Sequence, residues 1–234
     1  MQYKAQLELL RQQIPVGIKH GLALLNKTNG DFDKARELFE EEMILLIMDK
    51  MQAPRNEAKD VLLACHYDIA RTIAAIEERR YTLPERILRK TKDKEEALGL
   101  IAVNLEALLR PERDYWLLLD RLTGLHPAQY CLLAVQEWLN YEDWEGLDSA
   151  VYFHTGIVAA LIGHELQLPE VAHVIIAAKE RMEALLPVFQ KTGDHSVIGG
   201  DTVLAGLRAD FREGRELIID RLYAYVVSQI RHFS

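Results

Sequence analysis

The sequence predicts an all-α protein: a tandem pair of three-helix modules followed by a larger helical bundle domain. Three observations carry this. Apolar residues recur at spacings of three and four almost throughout, with no sustained alternation. Helix breakers are scarce, with 13 Gly and 7 Pro in 234 residues. A pattern near the N-terminus returns without a gap 37 residues later.

The first helix is predicted over 2–13, broken by Pro15, Val16 and Gly17. The second is predicted over 18–28, with Ile18, Leu22 and Leu25 on one face. Asn29 or Gly30 can take the left-handed conformation that ends a helix. Asp31 can then cap the third helix by accepting from its free amides. Phe32, Ala35, Leu38 and Phe39 form its apolar stripe. In the repeat, Leu10, Ile14, Gly21, Leu24, Leu25, Asp31, Phe32, Ala35 and Phe39 fall on Ile47, Met51, Ala58, Val61, Leu62, Asp68, Ile69, Thr72 and Ile76. Pro15-Val16-Gly17 falls on Gln52-Ala53-Pro54, and His66-Tyr67-Asp68 replaces Asn29-Gly30-Asp31. No linker separates the copies, so "EEEMILLIMDK" is expected to end one module and begin the next. The expected domains are 1–42, 43–80 and 81–234.

Past residue 80 the repeat stops. Thr82-Leu-Pro-Glu85 has the form of a capping box with an early proline. Helices are predicted at 83–91, 94–110, 112–123, 127–140, 149–167, 169–190, 202–213 and 215–232. Pro111, Pro127 and Pro169 suit first turns, whereas Pro187 should kink or end its helix. The stretch 191–201 reads as a connection between helices, and Asp148 reads as a helix cap.

The net charge is −8, which argues against a nucleic-acid partner. Cys65 and Cys131 are the only cysteines and have no metal-ligand spacing, which suits a reducing compartment. The first 13 residues lack the apolar core of a signal peptide. The most apolar run, 150–163, is short enough for a buried helix and contains His154. A cytoplasmic protein with no membrane span and no cofactor is expected.

The stretch "LRQQIPVGIKHGLALLNKTNGDFDKARELF" resembles the N-terminal module of elongation factor Ts, a ubiquitin-associated (UBA)-like three-helix fold. Leu10, Arg11, Gly17, Leu25, Asn29, Gly30, Asp31, Lys34 and Ala35 carry the resemblance. The second copy is similar to the module at the end of the nascent-polypeptide-associated complex α subunit, through Glu57, Ala58, Leu62, Asp68, Ile69 and Ile73. Ile14-Pro15 stands where the elongation factor family usually has Thr-Gly. Val16-Gly17-Ile18 and Ala53-Pro54-Arg55 differ from the Met-Gly-aromatic loop of ubiquitin binders. The resemblance implies a helical protein-binding module, with a GTPase of the elongation factor Tu kind as one partner class. It also implies a contact face at Val16, Gly17, Ile18, Leu38 and Phe39. The same Leu38 and Phe39 suit packing against the second copy or the C-terminal domain.

From Leu122 to Ala178 there is no Lys or Arg, where average usage would give about seven. Four of the seven acids there lie in "YEDWEGLD". Glu142, Asp143, Trp144 and Glu145 form a second candidate contact with a basic partner. An inward-facing pair of tryptophans on a solvated acidic loop fits as well. Glu170 and His173 have the i, i+3 spacing of a di-iron ligand pair but lack the second pair and two further carboxylates. His126, His154, His164 and Glu165 complete the ligand candidates. Gly199-Gly200-Asp201 fits either an anion-holding helix start or a simple cap.

The leading expectation is a protein–protein interaction protein without catalytic or metal-binding residues. One alternative is a metal protein or hydrolase with a His/Glu site in the C-terminal domain. The other is an acidic inhibitor or immunity-type protein for a basic partner. The last apolar stripe, Leu217 to Ile230, suits either core closure or a homodimer seam.

Overall fold

The computed structural model describes residues 3–233. It is all-α, and the described residues contain no β-strand, only one isolated bridge between Arg113 and Leu117. The chain divides into two compact units, Met1–Thr82 and Leu83–Ser234. No helix among the described residues is long and apolar enough to cross a membrane.

The first unit holds α1 (Lys4–Gln13), α2 (Ile18–Lys27), α3 (Phe32–Met51), α4 (Arg55–Ala64) and α5 (Ile69–Arg80). The expected start of α1 at Gln2 lies outside the described residues. The 37-residue shift holds at the level of single bonds. α2 and α4 have equal length and start 37 residues apart, as do the starts of α3 and α5. Asp31 accepts from the Lys34 N–H at 3.1 Å, and Asp68 from the Arg71 N–H at 3.0 Å. Gly30 N–H donates to Leu25 O, and Tyr67 N–H to Leu62 O. Each of these caps satisfies an orphan backbone group at a helix end.

The two copies have separate cores. Leu7, Leu10, Ile14, Val16, Leu24, Leu25, Ala35 and Phe39 make the first. Ile44, Ile47, Ala53, Ala58, Val61, Leu62 and Ile76 make the second. α3 serves both, as its 20 residues pass from one core into the other. The corner residue differs for a packing reason. Gly30 has φ +83°, and a Cβ there would lie 2.4 Å from the Tyr3 ring. Tyr67 keeps the left-handed backbone, φ 62°. Its hydroxyl donates to Glu40 at 2.6 Å, and its ring meets Phe39 edge-on. Arg80 closes the second copy through Glu57 and the Met51 carbonyl.

The second unit holds α6 (Leu83–Lys90), α7 (Lys94–Leu109), α8 (Pro127–Glu145), α9 (Leu147–Ala150), α10 (Thr155–His164), α11 (Pro169–Thr192), α12 (Ser196–Gly199) and α13 (Thr202–Ser228). Its core is one continuous cluster around Trp138, Ile162, Ile175, Ile218, Leu222 and Phe233. Trp138 is fully buried, its Nε1–H donating to Ala150 O at 3.0 Å.

Four elements differ from the sequence expectation. No α-helix forms over 112–123, where a single 3-10 turn covers Leu119–Arg121. Arg110 turns left-handed before Pro111, and Glu137 draws the next residues inward. The predicted 149–167 helix is two pieces, because His154 takes φ 50° and Thr155 Oγ1 bonds Val151 O. The predicted break near Gly214 is absent, and α13 runs through it. Gly214 instead lets α13 approach Val171 of α11, where a Cβ would sit at 3.0 Å. α11 likewise continues five residues past Pro187, which removes one N–H but does not end the helix.

Candidate functional site

In the first unit the first loop splits the candidate contact residues. Val16 and Phe39 are buried in the first core, so neither is available as a contact. The side chains of Val16 and Phe39, which the resemblance assigned to a partner, are the first copy's own packing. Leu38 is half-buried against the same core. Gly17, the N-cap of α2, is exposed, and Ile18 at its first position is 53% exposed. Leu45, Leu46 and Leu63 add exposed apolar surface on α3 and α4.

In the second unit the acidic residues at the end of α8 line a cleft of about 390 Å³ against α13. The arginines that balance them come from far along the chain. Arg215 bonds Asp143 at 2.8 Å and Glu95 at 2.7 Å, and lies 3.6 Å from Glu142. Arg208 grips Asp148 with two bonds, at 2.8 and 2.5 Å, so Asp148 ties α9 to α13 rather than serving as an N-cap. Burial pushes the Glu142 carboxyl above the usual range, and Asp143 beside it adds to the rise. Arg212 lines the same cleft. Ion pairs within the unit thus engage Glu142, Asp143 and Asp148 of the expected acidic contact surface, with Asp143 still exposed. Trp144 is different: it is 75% exposed, while Trp138 faces inward. Glu145 beside it is also exposed.

The four candidate histidines do not gather at one place, though His164 and His173 share a groove. Among the described residues no three His, Cys, Asp or Glu side chains gather as a metal site would require. His126 stacks on His232 with ring centroids 3.6 Å apart and caps α8 through the Ala128 N–H. His154 packs edge-on against Phe153. His164 and His173 line an open groove between α10 and α11, whose other walls include Ala160 and Ile176. Glu165 accepts from Tyr225 Oη at 3.2 Å. Asp201 caps α13 through the Leu204 N–H and is held by Arg181, so its own carboxylate occupies the place an anion would take. Both cysteines are free thiols, and burial pushes Cys131 up to about 12.

One residue that pattern reading passed over is Glu137. It is 3% exposed in the middle of α8. Its carboxylate accepts from the Leu117 N–H at 2.7 Å and from Arg113 at 3.1 Å. Gln136 and Glu137 interrupt an otherwise apolar run, Cys131–Leu139, and that interruption is the signal that marks them.

Comparison with known proteins places this second unit. The profile of the YfbN C-terminal domain matches residues 82–231. The chain belongs to the YfbN family. It is 35% identical over 185 residues to the protein of Escherichia coli (strain K12) named Uncharacterized protein YfbN, covering 79% of this chain and 77% of that protein. No solved structure matches the chain. The YfbN-domain match begins at the boundary between the two units. The alignment with Escherichia coli YfbN is longer than that domain, so it also enters the first unit.

Proposed function

We propose that this YfbN-family chain is a cytoplasmic protein-binding adaptor. Its first unit acts as a tandem of UBA-like modules, and its helical domain offers a second contact at Trp144 and Glu145. The observation that carries the reading is the bond-for-bond repeat of a three-helix module that keeps Ile18 uncovered at the first loop. Gly17 and Ile18 are the contact residues of the first module, and Leu38 contributes its exposed edge. Two unpaired cysteines support a reducing compartment. The partner class implied by the resemblance is a translation-type GTPase.

The test compares full-length protein with its Ile18→Asp variant as immobilised bait for an elongation factor Tu-type GTPase and for ubiquitin. Retention of one of them, lost in Ile18→Asp at unchanged helical circular dichroism, supports the reading. Equal retention by both baits, or none by either, counts against it.

A further inference from the structure

Between α7 and α8 runs a narrow groove of about 140 Å³. Val103 and Glu106 line it from α7, and Gln136, Glu137 and Asn140 from α8. Gln136 is 7% exposed, and its Oε1 has no hydrogen-bond partner. Its Nε2 is already used, donating to Asn140 Oδ1 at 3.2 Å. A buried acceptor left without a donor is costly and rare in folded proteins. The charge in the groove is unbalanced too. Glu106 and Glu137 share one guanidinium, Arg113, at 2.9 and 3.1 Å, which leaves one negative charge in excess. At the rim, Val103 is 65% exposed.

The unmet demand is therefore for a donor, the surplus charge is negative, and the entrance is apolar. An arginine side chain has the matching parts: an apolar stem and a flat cationic head with five N–H donors. Acceptors on two facing helices favour that fork over the single ammonium point of lysine. We propose that this groove is a binding subsite for one arginine side chain of a partner protein, its stem on Val103 and its guanidinium toward Gln136 and Glu106. Charge complementarity selects a basic segment over an acidic or purely apolar one. The inference does not rest on the reading of the first unit, since it concerns other residues and a separate readout.

The test is a titration of isotope-labelled, assigned full-length protein with Nα-acetyl-arginine methylamide, and in parallel with the neutral isostere Nα-acetyl-citrulline methylamide. Saturable shifts confined to residues 99–106 and 133–140 are expected with the arginine compound. Binding should weaken roughly tenfold or more for citrulline, for Glu106→Gln and for Gln136→Leu. Gln136→Leu removes the unpaired acceptor, so its unfolding midpoint should hold or rise, which separates lost binding from lost fold. No saturable shift with the arginine compound, an equal response to citrulline, or unchanged binding in both variants would overturn the proposal.

Discussion

The carboxylate of Glu137 takes the backbone N–H of Leu117 at 2.7 Å from within the buried face of α8. That bond holds the irregular 110–122 segment against the helical core, together with the Glu137–Arg113 pair. Glu137→Ala strands a buried N–H and removes one partner of Arg113, so a loss of about 3–5 kcal/mol is expected. Glu137→Gln keeps an acceptor for Leu117 and should lose less. Urea unfolding followed by circular dichroism measures both, and near-wild-type stability of Glu137→Ala would show that the segment is held by other contacts.

Part of the acid sensitivity should trace to Asp201, one of several carboxylates held below their usual range. The Arg181 guanidinium, followed by the Leu204 N–H, holds its carboxyl down at about 2, against an ordinary 3.8. A depressed folded value means the group stabilises the fold fully above its unfolded value and less as pH falls through its folded one. Asp201→Asn still caps a helix but carries no charge. The gap in unfolding midpoint between wild type and Asp201→Asn should therefore be constant near neutrality and close between about pH 4 and pH 2. A gap that persists at the acid end would contradict this assignment.

The two capping aspartates provide a test of modularity. Asp31→Ala and Asp68→Ala should each cost about 1 kcal/mol, the usual loss for a side-chain cap. Because the caps serve separate cores, the double variant should equal the sum of the two within roughly 0.5 kcal/mol. A large departure from additivity in chemical denaturation would mean that the copies act as one cooperative core.

The tryptophans should report their opposite environments. Trp144 is exposed and Trp138 is fully buried with its N–H bonded. Trp144→Phe should lower the acrylamide-quenchable emission, the remainder coming from the half-buried Trp116, and leave stability within about 0.5 kcal/mol. Trp138→Ala should cost about 3–5 kcal/mol through the cavity it leaves. Fluorescence quenching and thermal unfolding of the two variants read these out.

Local signals in the sequence carried far, because they are written in neighbouring residues. The helix starts at Asp31 and Asp68, and the passage of one helix through "EEEMILLIMDK", follow from caps and periodicity alone. What escaped depends on partners distant in sequence. Asp148 finds Arg208 across 60 positions, and Asp143 finds Arg215 across 72. A stretch without Lys or Arg therefore looked like an exposed acidic surface. Gly214 looked like a break because its meaning lies on α11, at Val171. Val16 and Phe39 matched a contact face by analogy, yet a small module needs its few large apolar residues for its own core.

The shared helix α3 has a consequence for how the first unit can change. The two copies are geared together without a hinge, so spacing and orientation are set by residue count. One residue inserted between Glu41 and Met43 would swing the second copy by about 100° and advance it by about 1.5 Å. Seven inserted residues would restore nearly the original heading at a greater separation. A ligand that bridges both copies would thus read α3 as a ruler and would tolerate insertions in whole heptads far better than single ones.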